Sequence, residues 1–227
     1  VIIDTTDPGG QVLAHRLADW GERMIRVDPA TAELPPLRLA GAHNTANAAC
    51  VAAAARRLGL DEAEIEAGLR SFEGVGRRFD IKGEPGGVLI IDDYGHHPTA
   101  IRATVAAVRD GYPGRRIWVA HEPLTFHRAA AMLEQLADAL AQADEAVIAD
   151  IWAGRDPDTS VASAASLAAA VSARTGREVA APGSPESTAE YLVPRVRAGD
   201  VVLTMGGGRS YVIAERLLEL LGAAGPE

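Results

Sequence analysis

Two carboxylates, a phenol and two imidazoles fall in one short segment of the chain, directly after an apolar run. The run covers residues 88–91, and the polar segment reads Asp92-Asp93-Tyr94-Gly95-His96-His97. Histidine exchanges protons near neutral pH, because its reference pKa is about 6.5. Carboxylates can take ribose hydroxyls or hydrated magnesium. The segment therefore predicts a reaction site.

The residues on either side of this segment predict how it is positioned. The apolar run is bounded by glycine and indicates a buried strand, and Pro98 indicates the first turn of a helix that ends near residue 110. The polar segment would then lie at the carboxyl end of a strand, which is the edge where open α/β sheets bind ligands. The alternative, a cap formed by Asp93 with surface histidines, explains single residues better than the whole group.

The remaining pattern predicts an α/β fold. Before the polar segment, it predicts strands at 1–4 and 24–27 and helices at 11–20, 44–58 and 61–71, with Asn44 and Asp61 as N-caps. After it, strands at 117–120, 146–149, 178–180 and 201–205 alternate with helices near 129–142, 163–175, 185–195 and 210–221. Such alternation is typical of a Rossmann-like parallel sheet with right-handed crossovers.

Composition excludes several classes of protein. The formal charge of -9 argues against nucleic acid as a partner, because phosphate binding relies on clustered Lys and Arg. No apolar run approaches the roughly 20 residues of a membrane span, so no membrane partner is expected. The single cysteine, Cys50, cannot form an internal disulfide and is consistent with the cytoplasm. We expect a cytoplasmic protein with small-molecule substrates.

Three segments together resemble the Mur ligases, which form amide bonds in peptidoglycan synthesis. Asp-Asp-Tyr-Gly-His-His-Pro-Thr at 92–99 resembles the family signature. Gly-Ala-His-Asn-Thr-Ala-Asn at 41–47 resembles the element beside the adenine, and Phe-Glu-Gly-Val-Gly-Arg-Arg-Phe at 72–79 resembles the junction of the central and C-terminal domains. The order and spacing match the branch of the family that adds L-alanine to UDP-N-acetylmuramate.

The resemblance implies two domains. Residues 1–75 would be the C-terminal remnant of a central ATP-binding domain, and residues 76–227 a Rossmann-like, amino-acid-binding domain. ATP and Mg²⁺ are implied as cofactors, bound mainly by parts absent from this chain, because the only lysine, Lys82, does not lie in a P-loop. We therefore expect a fragment that is inactive alone, or a reduced relative. Its partners would be UDP-N-acetylmuramate, an amino acid and the missing N-terminal and central domains.

The resemblance also implies roles for single residues. Nucleotide-binding roles fall on five of them: His43, Asn44, Asn47, Arg78 and Asp93. Substrate-binding roles fall on Tyr94, His96 and Arg128. His96 and His97 would be catalytic, and one imidazole would accept the ammonium proton of the amino acid. No metal ligand is expected within the chain.

One segment departs from the family pattern Gln-Pro-His-Arg-Tyr-x-Arg. Here Leu124 and Thr125 stand where the family has His-Arg, and the family's arginine at that position lies at the substrate site. Two alternatives remain open. One is a non-catalytic nucleotide- or substrate-binding module. The other is the sister ligase that recycles a tripeptide onto UDP-muramate, whose signature usually has Phe-Ala in place of Tyr94-Gly95.

A run of three glycines at 206–208 follows the last predicted strand and precedes the last predicted helix. Its amides could bind an anion, although a tight turn with close packing is the favoured interpretation.

Overall fold

The computed structural model divides into two compact units, Val1–Gly74 and Val75–Glu227. It describes residues 1–39 and 41–223, so Ala40 and the last four residues of the predicted second domain lie outside the described residues. The identification of the first unit with an ATP-binding domain, and of the second with an amino-acid-binding domain, stays a prediction.

The first unit contains a parallel pair of strands, β1 (Ile2–Asp4) and β2 (Ile25–Val27). Helix α1 (Pro8–Arg16) and a 3-10 segment (Ala18–Arg23) connect them. The helix predicted at 11–20 begins three residues earlier, because Pro8 occupies the first turn and the Asp7 carboxylate accepts a hydrogen bond from the Gly10 amide.

Two further helices, α2 (Ala42–Leu58) and α3 (Glu62–Ser71), complete the first unit. The predicted cap of α3 is confirmed: Asp61 accepts from the Glu64 amide, and the Glu64 side chain accepts from the Asp61 amide. The predicted cap of α2 is wrong. Gly41, with φ 103°, is the N-cap residue, so Asn44 lies inside the first turn of the helix.

The second unit is built on a six-stranded sheet of order β3-β4-β8-β5-β6-β7. The strands are β3 (Asp80–Gly83), β4 (Leu89–Asp93), β5 (Ile117–Glu122), β6 (Glu145–Ala149), β7 (Ala180–Gly183) and β8 (Val201–Gly206). All pairs are parallel except β3 with β4. The antiparallel edge strand was not predicted, and β7 lies about two residues later than predicted.

Helices cover both faces of this sheet. They are α4 (Pro98–Gly111), α5 (Phe126–Ala131), α6 (Leu133–Leu140), α7 (Ala164–Thr175), α8 (Pro185–Leu192) and α9 (Tyr211–Ala223). Residues of α4, α6 and α7 pack on one face and those of α8 and α9 on the other, which confirms the Rossmann-like α/β prediction. The prediction of a single helix at 129–142 is wrong. This segment contains two helices that separate at Met132, and α6 has more buried residues than α5.

Within residues 1–39 and 41–223, no helix is both long and apolar enough to cross a membrane.

The packing of α1 against β1 gives a test of the first unit. A Cβ at Gly10 would lie 1.9 Å from the Asp4 carbonyl oxygen, so Gly10→Ala forces the helix and strand apart. We expect Gly10→Ala to lower the free energy of unfolding of this unit by more than about 2 kcal/mol, as overpacking of a tight contact does. Chemical denaturation of the purified variants measures this.

Gly68→Ala is the matched control, because nothing lies within 4 Å of its Cβ position and the residue is inside α3. It should stabilise the unit by roughly 0.5–1 kcal/mol through helix propensity. Equal effects of the two substitutions would contradict the close approach at Gly10.

Candidate functional site

A buried ion pair lies at the centre of the polar segment. Asp92 is 0% exposed, and its Oδ2 accepts a hydrogen bond from Arg77 Nε at 3.1 Å, while Thr204 Oγ1 donates to its Oδ1 at 3.0 Å. Burial raises the pKa of Asp92, whereas the Arg77 charge and the Thr204 hydroxyl oppose that rise. Asp92 is thus a structural carboxylate.

Arg77 links three parts of the second unit. Besides Asp92, its guanidinium donates to the carbonyl oxygens of Gly206 and Gly208 at 2.8 and 3.0 Å and to Ser210 Oγ at 2.8 Å. Its backbone has φ 62°, an unusual value for a residue with a side chain. The sequence placed both Arg77 and Arg78 at the junction and favoured Arg78 for phosphate binding, but it did not predict the ion pair between Arg77 and Asp92.

The predicted ribose-binding residue, Asp93, is also held by the protein. Its Oδ1 accepts from the Gly95 amide at 2.6 Å and its Oδ2 from the Phe79 amide at 2.9 Å, and the residue is buried. Asp93 therefore fixes the turn after β4 and the turn before β3. Its binding to ribose stays a prediction.

His96 and Tyr94 are half-buried neighbours, with ring centroids 5.6 Å apart in an edge-on arrangement. His96 Nδ1 lies 3.1 Å from the Tyr94 carbonyl oxygen. A carbonyl only accepts, so Nδ1 carries the proton and Nε2 presents a lone pair. Burial lowers the pKa of His96; the Tyr94 carbonyl raises it, and the charges of Arg128, His97 and Arg78 lower it further. A neutral imidazole with an available Nε2 is a competent proton acceptor.

The second predicted catalytic residue, His97, is the N-cap of α4. Its Nδ1 accepts a hydrogen bond from the Thr99 amide at 3.2 Å, and its ring is exposed. The helix cap at this turn is therefore His97 and not Asp93. A catalytic role for His97 stays a prediction.

The glycine turn after β8 already holds an anion, the carboxylate of Glu122 at the end of β5. Glu122 Oε2 accepts from the Ser210 amide at 2.9 Å, and the Arg209 and Gly208 amides also lower its pKa, although burial raises it overall. The turn is tight: a Cβ at Gly206 would lie 2.7 Å from the Glu122 carbonyl oxygen. The favoured interpretation, close packing, agrees with this geometry.

His121, next to Glu122, is a fully buried imidazole that the sequence reasoning missed. It faces the same side of the sheet as Asp93 and is in register with Met205, whose carbonyl oxygen is 3.2 Å from its Nδ1. Its Nε2 is buried with no hydrogen-bond partner among the described residues. Burial lowers the pKa of His121 to about 4, so the ring is neutral at pH 7.

The segment that departs from the family pattern forms the start of α5. Thr125 has φ 57° and makes no side-chain cap. The cap comes from Asp156, which accepts from the His127 amide at 2.8 Å and pairs with the His127 ring. The predicted substrate residue Arg128 is exposed on the first turn, close enough to His96 to lower its pKa.

The remaining predicted nucleotide residues fall in different units. His43, Asn44 and Asn47 lie in the first two turns of α2 in the first unit, where His43 and Asn47 share a face because they are four residues apart. Arg78 lies in the second unit, and its Cζ is 5.1 Å from the centroid of the Tyr94 ring.

The residues at the site do not fit a magnesium ion. The carboxylates of the polar segment and of the adjoining end of β5 are Asp92, Asp93 and Glu122, and each is buried and bound by protein donors. No group of three or more potential metal ligands occurs in the described part of the chain.

Comparison with known proteins identifies the family. A family model described as Mur ligase, glutamate ligase domain, matches residues 77–208, which is more than half of the chain. The chain belongs to the Mur ligase family. The resemblance read from its three motifs is therefore confirmed.

Individual relatives support the assignment of this chain to the Mur ligase family. A UDP-N-acetylmuramate–L-alanine ligase of Lachnospira eligens is 40% identical over 183 residues, 81% of this chain and 39% of the relative. One from Syntrophobacter fumaroxidans is 37% identical over 224 residues, 95% of this chain and 44% of the relative. The crystal structure of the UDP-N-acetylmuramate–alanine ligase of Thermotoga maritima aligns with a TM-score of 0.69 at 26% identity, covering 83% of this chain and 40% of that chain. The chain thus spans about two fifths of the length of the curated relatives it matches.

Adjacent arginines in this Mur ligase chain give a matched test of the buried ion pair. Arg77→Met leaves the Asp92 carboxylate buried without its cation, so we expect the second unit to lose about 3–5 kcal/mol of unfolding free energy. Arg78→Met removes an exposed cation and should cost less than about 1 kcal/mol. Denaturant titrations decide this, and a similar loss from both substitutions would contradict the structural role of Arg77.

His121 makes stability depend on pH. Between its usual pKa of 6.5 and the folded value of about 4, the unfolded chain binds a proton that the folded chain does not, so stability falls as pH falls through this range. The loss approaches roughly 3 kcal/mol below pH 4. Urea titrations from pH 7.5 to 4 should show a shallower decline for His121→Phe than for the parent. Parallel pH profiles would rule out His121 as the source.

Proposed function

We propose that the chain is the acceptor-binding part of an ATP-dependent ligase that joins L-alanine to UDP-N-acetylmuramate in the cytoplasm. The observation that carries this proposal is His96, a half-buried imidazole whose Nδ1 is bound to the Tyr94 carbonyl and whose Nε2 can therefore accept a proton. The names of relatives at about 40% identity support the choice of substrates.

In the proposed reaction, the carboxylate of UDP-N-acetylmuramate takes the γ-phosphoryl group of ATP and becomes an acyl phosphate. The amine of L-alanine then attacks the acyl carbon, and phosphate leaves. An ammonium ion has no lone pair, so the proton must leave first, and His96 Nε2 accepts it. ATP and Mg²⁺ would be held mainly by parts of the protein outside these 227 residues.

The other residues of the site orient the reactants. Arg128 would bind the carboxylate of the amino acid through charge-assisted hydrogen bonds, and Tyr94 would line the same end. Arg78, exposed above Tyr94, would hold the phosphates, and Asp93 the ribose. His43, Asn44 and Asn47 would contact the adenine, and His97 would assist His96.

A second candidate is a non-catalytic binding module. Leu124 and Thr125 favour it, because neither can form the ionic contacts of the family's His-Arg pair. Under this alternative, the native-length protein binds nucleotide or substrate without releasing ADP.

The test is ADP release by the native-length gene product with UDP-N-acetylmuramate, magnesium and a panel of amino acids. We expect release that depends on L-alanine, and no release from the 227-residue chain alone. His96→Ala should lower turnover at saturating ATP by about 10²–10⁴-fold, as loss of a general base does.

Arg109→Ala is the control for that substitution, since Arg109 pairs with Asp144 at the opposite, amino-terminal edge of the sheet. It should leave turnover unchanged. No ADP release with any amino acid would favour the binding module, and an unchanged rate for His96→Ala would remove His96 from the site.

A further inference from the structure

An apolar surface lies directly beside His96. A Cβ built on Gly207 would be 3.2 Å from His96 Nδ1 and 3.1 Å from Leu124 Cδ2, so both side chains contact the same glycine. A Cβ on the next glycine, Gly208, would be 2.5 Å from Trp152 Cγ. Leu124 and Trp152 therefore line the glycine turn next to the proposed proton acceptor.

The backbone holds these two apolar side chains in place. Trp152 donates its amide to the Pro123 carbonyl, and Thr125 donates its amide to the Trp152 carbonyl, each at 2.9 Å. The two hydrogen bonds form an isolated parallel bridge between Leu124 and Trp152. Even so, the Trp152 residue is 40% exposed, so a large aromatic surface is held rigidly but left open.

Two groups near this apolar surface are suited to the polar ends of an amino acid. Arg128, exposed on the first turn of α5, lowers the pKa of His96, which places its charge near the imidazole. If Arg128 binds the carboxylate of an α-amino acid and His96 Nε2 binds its amine, only the side chain of that amino acid still needs a binding surface. Leu124 follows Pro123 on the same segment that leads to Arg128, and it offers that substituent an apolar contact.

Resting on the proposed function, we propose that Leu124 and Trp152 form the side-chain subsite of the acceptor. The subsite takes apolar amino acids larger than alanine, valine and leucine among them, in addition to L-alanine. Each methylene buried there should tighten binding by roughly four-fold, since burial of a CH₂ group contributes about 0.8 kcal/mol. The family's His-Arg pair would instead place polar, cationic groups at positions 124 and 125.

The fluorescence of Trp152 can report ligand binding at this subsite. Tryptophan fluorescence of the 227-residue chain, with Trp20→Phe introduced to remove the other exposed indole, would be titrated with L-alanine, L-valine, L-leucine and L-threonine. L-Threonine is the matched ligand control, because it is close to valine in shape but carries a hydroxyl. At roughly four-fold for each buried methylene, we expect valine to bind roughly 15-fold and leucine roughly 60-fold more tightly than alanine, and valine more tightly than threonine.

Two variants separate the subsite from the rest of the acceptor site. Leu124→Ala should reduce the advantage of valine over alanine to less than about two-fold while alanine still binds, and Arg128→Met should weaken all four ligands alike. A fold check by circular dichroism accompanies each variant. The proposal is overturned if valine and leucine bind no better than alanine, if threonine equals valine, or if no ligand changes the fluorescence.

ADP release by the native-length protein distinguishes this proposal from the proposed function. Release with L-alanine but not with valine or leucine would leave the ligase standing and overturn the apolar subsite. Release with all three supports both. If no amino acid gives release, the ligase function fails, and the order of binding affinities in the titration decides the subsite by itself.

Discussion

The arrangement of the second unit depends on the ion pair between Arg77 and Asp92. An ionised carboxylate with no solvent exposure is costly unless a cation and further donors compensate for lost hydration. Arg77 supplies the cation, and its planar fork reaches Asp92, two carbonyl oxygens of the glycine turn and Ser210 at once. The carboxyl ends of β4 and β8, the start of α9 and the turn before β3 are thereby fixed together. His96 lies on the segment that follows β4, one of the elements that this pair joins.

This constraint also sets the charge of the site. Asp92, Asp93 and Glu122 are buried and bound by protein donors, and the side chains whose charges act on His96 are Arg128, His97 and Arg78. Although the chain has a net charge of -9, the immediate surroundings of His96 are therefore basic. Positive charge at this place attracts the phosphates and carboxylates that a ligase must bind, and it adds to burial, the main cause, in lowering the pKa of His96.

The sequence was sufficient for the elements that depend on burial and for the position of the polar segment. Apolar runs predicted β4, β5, β6 and β8 closely, because a strand buried on both faces has no polar alternation. The short edge strand β3 was not predicted, because it forms by pairing with β4, ten residues away, and its own exposed residues carry no apolar pattern. The sequence likewise could not predict which of the two arginines pairs with Asp92, because their side chains are identical and the difference lies in the left-handed backbone of Arg77. The cap at Asp61 was predicted, whereas the caps at Asp7, Gly41 and His97 were missed.

Glu122 decides how the second unit can bind anions. The amides at the start of α9 would ordinarily favour a phosphate, because they carry the partial positive charge of the helix terminus. In this chain the Glu122 carboxylate already accepts a hydrogen bond at this place. A free anion that displaced Glu122 would break the hydrogen bonds of that carboxylate and would have to open a tightly packed turn. An anionic substrate is therefore better served by the exposed guanidinium groups of Arg78 and Arg128. Both arginines lower the pKa of His96, so an anion bound at either one would raise that pKa and strengthen His96 as a base.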